Sequence, residues 1–462
     1  MTSPFEKMKK IEVINPATEK SIAKVPASVD IPSIYEKARN AQKQWAKQDL
    51  QYRIDCISRF QKELENKKDA LALTLTQETG KPLWQSLNEL RGAGLRIQFF
   101  IDNVEKYMQN ETITQEEGLL EKIYYEPLGV IGNISAWNYP YLVGVNVFIP
   151  ALLTGNAVLY KPSEYALLTG LKIESMMQDS GVPKEIFVTI IGDKEEGEKL
   201  LDLPLDGYYF TGSHKTGKYI YEKVASKMVP CQLELGGKDA VYVSENNENL
   251  AKVVEGVCEG VFYNNGQSCC AVERIYVHTS IYKQFIDLFY EYTKSWVAGD
   301  PLDNNTMLGP LTRKEQKKVL QAQLDDALFK GAQAIQLNIK DEPSSYYFPP
   351  TILANVSHEM TVMREESFGP IIGIQEVEHL EEAISLMKDT DYGLTSAIYT
   401  DEYNEAERLM EEMDTGSVYL NCCDRVSPNL PWAGRKNSGL GLTLSYHGIR
   451  SFLQTKAYHI RF

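Results

Sequence analysis

The stretch YNNGQSCCAVER, residues 263–274, places two adjacent cysteines, Cys269 and Cys270, behind a Gly-Gln pair. A thiol that acts as a nucleophile needs a lowered pKa or a nearby base, donors for an oxyanion and a shielded pocket. Adjacent cysteines alone are equally compatible with a buried apolar pair or a strained vicinal disulfide. The chemistry of this stretch therefore depends on polar residues elsewhere in the chain.

Two further stretches could supply the missing parts. ISAWNYP places Asn138 behind a predicted strand and ahead of Pro140, where its amide could donate to an oxyanion or simply occupy a turn. LELGGKD places Glu234 at the end of a predicted strand, followed by two glycines. A buried carboxylate is either paired by hydrogen bonds or has a raised pKa, and a raised pKa suits a general base.

Together these stretches resemble the signatures of the aldehyde dehydrogenase superfamily. The resemblance extends over nearly the whole chain, through patterns that occur in the family's order: PLGVIGNISAWNYP, KPSE, FTGS followed by Gly217, LELGGK, YNNGQSCCAVER, REESFGP and PWAGRKNSGLG. Each pattern is short, but their order and spacing identify the chain as a member of the superfamily.

The resemblance implies a mechanism. Cys269 attacks an aldehyde, and the Asn138 amide and the Cys269 backbone N–H hold the oxyanion. Hydride passes to a nicotinamide, and Glu234 then activates the water that hydrolyses the thioester to a carboxylic acid. Relatives that transfer the acyl group to coenzyme A commonly lack this glutamate, so we expect the free acid, with coenzyme A transfer as the alternative. Cys270 is expected to be packed away.

The resemblance also implies a nicotinamide cofactor. Lys161 and Glu164 match the adenosine-ribose contacts, and a carboxylate there accepts from both ribose hydroxyls and repels a 2′-phosphate. We therefore expect NAD, with NADP as the alternative. Gly212, Ser213 and Gly217 match positions that contact the pyrophosphate, and Glu366 and Phe368 match positions that contact the nicotinamide ribose and ring. Trp137 and Ser163 are further candidates for cofactor binding.

Alignment with the family also gives a substrate tunnel, for which the candidates are Tyr139, Leu142, Asn146, Ser268, Cys270, Arg425 and Trp432. Arg425 could bind a substrate carboxylate bidentately, which would suit a semialdehyde, or it could pair with Asp424 or another acid on a loop. A quaternary-ammonium aldehyde would need an aromatic cage, of which Tyr139 and Trp432 offer only a part.

The chain departs from the best-known branch of the family at two places. Many members of that branch carry Trp-Lys where this chain has Asn146 and Val147, and Arg-Glu where it has Leu442 and Thr443. The glutamate of that second pair is linked to proton exit. We therefore expect a different proton route and a different tunnel wall.

The elements that must position these residues follow an α/β pattern. The first hundred residues are predicted to be mostly helical, with helices over 55–79 and 83–108, and residues 142–160 predict a buried helix followed by a buried strand. Short β-branched runs then alternate with helices over 165–179 and 215–227, which predicts parallel βαβ units. The predicted strands are GVIGNIS, NAVLY, IFVTII, GYYF and CQLEL, then AVYV, RIYVH, TILANV, IIGIQEV, TSAIYT and GSVYL.

These strands predict two doubly wound α/β domains, with a boundary near residues 235–237. The resemblance implies a Rossmann-like NAD-binding domain over 1–110 and 127–235, a catalytic domain over 236–445, and a small β oligomerisation element over 111–126 and 446–462. The terminal KAYHIRF has one apolar face and needs a sheet, supplied by its own chain or by a partner. A homodimer or homotetramer is expected.

The net charge and the cysteine content limit the classes of binding partner and the expected cellular compartment. The net charge of -15 argues against nucleic acid or an anionic membrane surface. The seven cysteines and the polar start of the chain indicate free thiols in a reducing compartment, the cytoplasm, with Cys422 and Cys423 as buried thiols. The chain contains no CxxC or HxxxH spacing, so we expect no metal site.

Two other classes of function explain less. A cysteine hydrolase would leave the KPSE, FTGS and EESFGP motifs without a purpose, and it would normally need a histidine beside the nucleophile. A non-catalytic relative would be expected to have lost Cys269, Glu234 or Asn138, and all three are present.

Overall fold

The computed structural model describes residues 9–339 and 344–462. The elements of the amino-terminal half are β1 (Lys10–Asn15), β2 (Lys20–Pro26), α1 (Ile31–Trp45), α2 (Leu50–Asn66), α3 (Lys68–Thr79), α4 (Leu83–Met108), β3 (Glu111–Glu116), β4 (Leu119–Pro127), β5 (Val130–Ile134), α5 (Pro140–Leu153), β6 (Ala157–Lys161), α6 (Leu167–Asp179), β7 (Phe187–Thr189), α7 (Lys194–Asp202), β8 (Gly207–Thr211), α8 (His214–Val224) and β9 (Cys231–Glu234).

The elements of the carboxy-terminal half are β10 (Ala240–Val243), α9 (Leu250–Phe262), β11 (Arg274–His278), α10 (Thr279–Thr293), β12 (Val297–Ala298), β13 (Thr306–Leu308), α11 (Gln316–Phe329), β14 (Gln333–Gln336), β15 (Thr351–Ala354), α12 (Thr361–Arg364), β16 (Ile371–Val377), α13 (Leu380–Lys388), β17 (Tyr392–Gly393), β18 (Thr395–Tyr399), α14 (Tyr403–Glu412), β19 (Ser417–Leu420), β20 (Arg435–Lys436), β21 (Gly439–Leu440), α15 (Ser445–Arg450) and β22 (Leu453–Arg461).

The first large sheet has six strands in the order β21-β9-β8-β5-β6-β7, and only β21 runs antiparallel to its neighbour. Every strand predicted for residues 129–235 is present. Strands β5 and β6 are almost entirely buried because α1, α5 and α7 cover the sheet, as expected for parallel strands that are covered on both faces. Helix α5 and strand β6 are the buried helix and strand that the sequence predicts over 142–160.

The second large sheet has seven strands in the order β14-β15-β16-β11-β10-β18-β19. Only β14, at one edge, is antiparallel to its neighbour. Its strands include the whole second predicted series, which confirms an α/β fold with two large sheets.

The prediction for the first hundred residues is wrong in two details. Strands β1 and β2 form an antiparallel hairpin in a region for which no strand is predicted, and Ile11 and Val13 pack against Leu167. The helix predicted over 55–79 is two helices, α2 and α3, because Lys67 leaves helical geometry between them. The hairpin packs against α3 and the start of α6, and local periodicity does not report such distant contacts.

The third sheet joins the two ends of the predicted oligomerisation element. Strand β22 pairs antiparallel with β4 over its whole length, and β3 pairs with the other edge of β4. The terminal strand therefore finds its sheet within its own chain. Among the described residues, no helix has the length and apolar character needed to span a membrane.

A short segment near the carboxy terminus joins the two large sheets. Strand β20 pairs with β17, which leads into β18 of the seven-stranded sheet, and β21 pairs with β9 of the six-stranded sheet. Between them, Ser438 accepts a hydrogen bond from Gly393 N at its hydroxyl, 2.9 Å, and one from Leu235 N at its carbonyl, 3.0 Å.

Candidate active site

The loop that carries Cys269 is held in an unusual backbone conformation. Asn264, Asn265 and Gly266 all have positive φ, at 52°, 62° and 68°, a region that asparagine and glycine enter more easily than other residues. The Asn265 amide donates to Gly309 O at 2.8 Å, and the Gln267 side chain accepts from Thr312 N at 2.9 Å. The sequence NNGQ thus turns the chain sharply and fixes the loop before the cysteine.

The donors expected for an oxyanion converge beside this loop. Asn138 follows β5 and precedes α5, whose start is favoured by Pro140. One amide hydrogen of Asn138 is used by Gln267 O, 3.1 Å away, and an amide has two. Among the described residues, the Cys269 N–H donates to no protein acceptor. One donor from each residue remains for a ligand oxygen.

A buried ion pair lies behind Asn138. Lys81 and Glu89 have no exposed side-chain surface and form a salt bridge. Lys81 Nζ also donates to Asn138 O at 2.6 Å, and Glu89 accepts from Tyr141 N at 2.9 Å and from Leu142 N at the start of α5. The pair therefore fixes both the carbonyl of Asn138 and the helix that follows it. Sequence reasoning missed both residues.

Glu234 ends β9 and is 8% exposed. Burial raises the pKa of its carboxyl to about 8, although hydrogen bonds from Gln232 and Thr443 and the nearby Arg96 charge oppose this rise. Thr443 Oγ1 lies 3.4 Å from the carboxylate. Thr443, at the position where the sequence departs from the best-known branch, is thus a direct neighbour of the proposed base.

One groove connects these groups to the predicted cofactor positions. It has a volume of about 700 Å³, within the range for cofactor sites. It lies at the carboxyl ends of β5, β6, β8 and β9, where open α/β sheets bind their ligands. Of the predicted residues, those that line it are Trp137, Asn138, Lys161, Ser163, Glu164, Gly212, Ser213, Glu234, Cys269, Glu366 and Phe368. Gly217 lies instead inside α8, packed against Leu235.

The Glu164 end of the groove suits an adenosine ribose. Ser163 and Glu164 follow β6, and the buried Lys161 donates to Gly192 O at 3.1 Å. Ser213 is the N-cap of α8, so the first N–H groups of that helix face the groove and favour a negatively charged group. The volume of the groove, the Glu164 carboxylate and the N-terminus of α8 together fit a dinucleotide.

The opposite end is built by the loop that contains Glu366 and Phe368. The Glu366 carboxylate accepts from Gly237 N at 3.1 Å, and Phe368 has a positive φ of 48°. Glu273 holds this loop by accepting from the N–H groups of Ser367 and Phe368, and Lys238 neutralises Glu273 at 2.7 Å. Lys238 and Glu273 lie inside the two signatures that the sequence singled out, yet their support of this loop is visible only in the fold.

The predicted tunnel residues divide into two groups. Tyr139, Leu142, Asn146, Ser268, Cys270 and Trp432 are buried or half-buried. Arg425 is different, because its side chain is 65% exposed and lies 3.6 Å from the Glu259 carboxylate. This contact favours the interpretation that Arg425 pairs with an acid on the surface over the interpretation that it binds substrate.

The thiol of Cys270 is engaged in a hydrogen bond. Cys270 Sγ donates to Asp424 Oδ1 at 2.9 Å. The neighbouring Cys269 thiol and burial raise the pKa of Cys270 well above its usual value, and burial also raises the pKa of Asp424. All seven cysteines are free thiols; Cys423 is buried and Cys422 is half-buried.

A second buried cation, Arg96 of α4, borders the same region. It is 9% exposed, and its Nη1 donates to Leu142 O and to Asn146 Oδ1, both at 3.0 Å. Burial lowers its pKa to about 10, against the opposing effect of Cys270, Glu89, Cys269 and Asp424. Sequence reasoning did not single out this arginine.

Comparisons with known proteins identify the family of this chain. The profile of the aldehyde dehydrogenase family matches residues 4–458. The chain belongs to the aldehyde dehydrogenase family. It is therefore an oxidoreductase that acts on aldehydes.

Individual members of the aldehyde dehydrogenase family show how broad the likeness is. The chain is 31% identical to a succinate-semialdehyde dehydrogenase [NADP(+)] of Deinococcus radiodurans, over 96% of this chain and 93% of that protein. It is 33% identical to the peroxisomal aminoaldehyde dehydrogenase 1 of Pisum sativum, over 97% and 92%. A solved indole-3-acetaldehyde dehydrogenase in complex with NAD+ superposes with a TM-score of 0.94 at 28% identity, covering 98% and 94%.

Proposed function

We propose that this aldehyde dehydrogenase oxidises its substrate to the free carboxylic acid through a covalent Cys269 intermediate, with NAD as the preferred cofactor. The observation that carries the proposal is that Cys269, Asn138 and Glu234 line one groove together with Glu164 and Glu366. A nucleophile, an oxyanion donor and a base with a raised pKa are the groups that this reaction needs.

In the first step, the Cys269 sulfur adds to the aldehyde carbon and the carbonyl oxygen becomes an oxyanion. The free amide hydrogen of Asn138 and the Cys269 N–H donate to this oxygen. Preorganised donors of this kind contribute about 3–4 kcal/mol each in a water-excluded site. When bound, the nicotinamide cofactor supplies the hydride acceptor that turns the adduct into a thioester.

In the second step, Glu234 removes a proton from a water molecule, which attacks the thioester carbon. The carboxylic acid leaves and the Cys269 thiolate is restored. Because burial raises the pKa of Glu234 to about 8, its carboxylate is a stronger base than an exposed one. The presence of this glutamate also favours water over coenzyme A as the acyl acceptor.

Two observations support a preference for NAD. The Glu164 side chain lines the groove, and the ammonium of Lys161, which precedes it in the same motif, donates to the carbonyls of Pro162 and Gly192. A carboxylate accepts from ribose hydroxyls and repels a phosphate on the same ribose.

The deciding experiment measures the absorbance of NADH or NADPH formed by the purified chain with a panel of aldehydes. Cys269→Ala and Cys270→Ala are compared in parallel, since the two residues are adjacent and only the first lines the groove. We expect activity with NAD that Cys269→Ala abolishes and Cys270→Ala does not. Equal loss in both variants, or turnover that requires added coenzyme A, would overturn the proposal.

A further inference from the structure

Arg96 differs from the other deeply buried arginines in how its donors are used. Arg274 donates through Nε, Nη1 and Nη2 to protein oxygens, and Arg53 donates through Nε and Nη1 to backbone carbonyls. Arg96 donates only through Nη1, and both acceptors are neutral oxygens. Within the part of the chain that the structure describes, its Nε and Nη2 donate to no protein group.

Among the described residues, none of the three buried arginines forms an ion pair, unlike the buried Lys81 and Lys238. Arg53 and Arg274 donate through two or three nitrogens to carbonyls, whereas Arg96 uses one nitrogen. A buried cation without an anionic partner is costly, because its hydration is lost without compensation. Glu89 is engaged by Lys81, and Asp424 accepts from Cys270. The guanidinium therefore has an unused, preorganised capacity for one anion.

The position of this cation connects it to the reaction centre. Arg96 Nη1 donates to Leu142 O in the first turn of α5, four residues after Asn138, the proposed oxyanion donor. Ionised Cys269, Cys270 and Asp424 would each favour the charged form of Arg96. Its Nη1 is fixed to Leu142 and Asn146 of α5, which the sequence assigns to the tunnel wall. It thus borders the space that a substrate attached to Cys269 would occupy beyond the reacting carbon.

We propose that Arg96 binds an anionic group at the far end of the substrate, so that the chain acts on short aldehydes that carry a carboxylate. The inference rests on the proposed function, because it takes Cys269 as the point of attachment. It transfers the carboxylate-binding role from Arg425 to Arg96. A planar guanidinium with two free donors suits a carboxylate, which accepts two parallel hydrogen bonds.

The test is a ratio of kcat/KM values for a matched pair of aldehydes. 4-Oxobutanoate carries the carboxylate, and 4-methylpentanal replaces it by an isopropyl group of similar shape. We expect the wild-type chain to prefer the acid, and Arg96→Met to reduce that preference by about 100-fold, the range for loss of one partner of a buried charged pair. Arg96→Lys should keep a part of it, because the charge remains but the bidentate geometry is lost.

The matched control is Arg425→Met, which removes an exposed arginine that borders Asp424 in sequence and should leave the ratio unchanged. If Arg425→Met reduces the ratio and Arg96→Met does not, the inference is wrong. It is also wrong if the wild-type chain oxidises both aldehydes equally well, or prefers 4-aminobutanal, which would indicate that Asp424 selects a cation. In each of these cases the proposed oxidation itself stands.

A second measurement does not depend on turnover. Succinate, which has the carboxylate but no aldehyde, should slow the alkylation of Cys269 by iodoacetamide in the wild-type chain and not in Arg96→Met. If Arg96→Met does not fold, Asn146→Asp serves instead, since it places a carboxylate against the Nη1 of Arg96 and should remove the protection. Protection that persists in the folded variant would overturn the inference. Absence of any aldehyde oxidation would instead count against the proposed function.

Discussion

Glu234 shows how one residue acquires a chemical role from its surroundings. At the end of β9 it lies in a dry environment, and burial raises its pKa to about 8. Below that pH the carboxyl is mostly protonated and cannot accept a proton from water. The hydrolytic step should therefore become faster as the pH rises through about 8 and then level off.

Glu234→Gln tests this role because glutamine is of equal size and cannot act as a base. We expect kcat to fall by about 10²–10⁴-fold, while the first turnover still releases NADH. Rapid mixing should show a burst of about one NADH per chain followed by near-arrest, because the thioester persists. A variant without a burst would place Glu234 before hydride transfer and contradict the assignment.

Thr443 affects the pKa of Glu234, the proposed base. Its hydroxyl hydrogen bonds to the ionised carboxylate and lowers the pKa of Glu234. Thr443→Val keeps the shape of the side chain and removes the donor. The midpoint of the kcat–pH profile should therefore move to higher pH, whereas Thr18→Val, which changes an exposed threonine, should leave the profile in place. A shift to lower pH would mean that Thr443 stabilises the neutral form.

Glu164 is the residue to change for cofactor preference. Glu164→Gln keeps a hydrogen-bonding group in the groove and removes the negative charge that repels a 2′-phosphate. We expect the ratio of kcat/KM for NAD to that for NADP to fall by about tenfold, by analogy with the loss of one charged contact. An unchanged ratio would assign the selection to other groups of the groove.

At the scale of elements, helix α4 contributes more to the site than its sequence indicates. It supplies Glu89 to the ion pair behind Asn138 and Arg96 to the tunnel side, although neither belongs to a motif. On the sequence, their charges look like the solvated face of an amphipathic helix. Their burial follows from the packing of α5 against α4, which is a tertiary contact and is not encoded in local periodicity.

Lys81→Met tests the ion pair. Removing one partner of a buried pair leaves an uncompensated charge, so we expect the free energy of unfolding to fall by about 3–5 kcal/mol. The double variant Lys81→Met with Glu89→Leu should recover much of this loss, because two apolar side chains replace the pair. Its kcat should nevertheless stay low, because the carbonyl of Asn138 loses its Lys81 donor and the first N–H groups of α5 lose their Glu89 acceptor. The KM for NAD should change little. Recovery of kcat together with stability would mean that the pair is only structural.

At the scale of the whole molecule, the strand series, the two large sheets and the family follow from the sequence. The pattern of β-branched runs is local, and the motifs occur where strands end. The resemblance implies the grouping of Cys269, Asn138 and Glu234, and all three residues line one groove. The hairpin β1–β2 and the buried charges Lys81 and Arg96 could not be predicted, because their conformation or burial depends on distant parts of the chain.

The third sheet is the candidate element for self-association. A chain that ends at Phe452 would lack β22 and leave one edge of β4 without a partner. We expect light scattering to show fewer subunits per particle than for the full chain, while NAD binding persists because β22 does not line the groove. An unchanged number of subunits would place the subunit interface elsewhere.

The segment from β20 to β21 has a consequence for motion. It pairs with β17 on one side and β9 on the other, and Ser438 is bonded to Gly393 and to Leu235, which lines the groove. Pairing on both sides holds the two sheets together at this point, so we expect little separation of the sheets here during turnover. We therefore expect release of the cofactor to depend on side chains and loops that line the groove, such as the loop around Phe368.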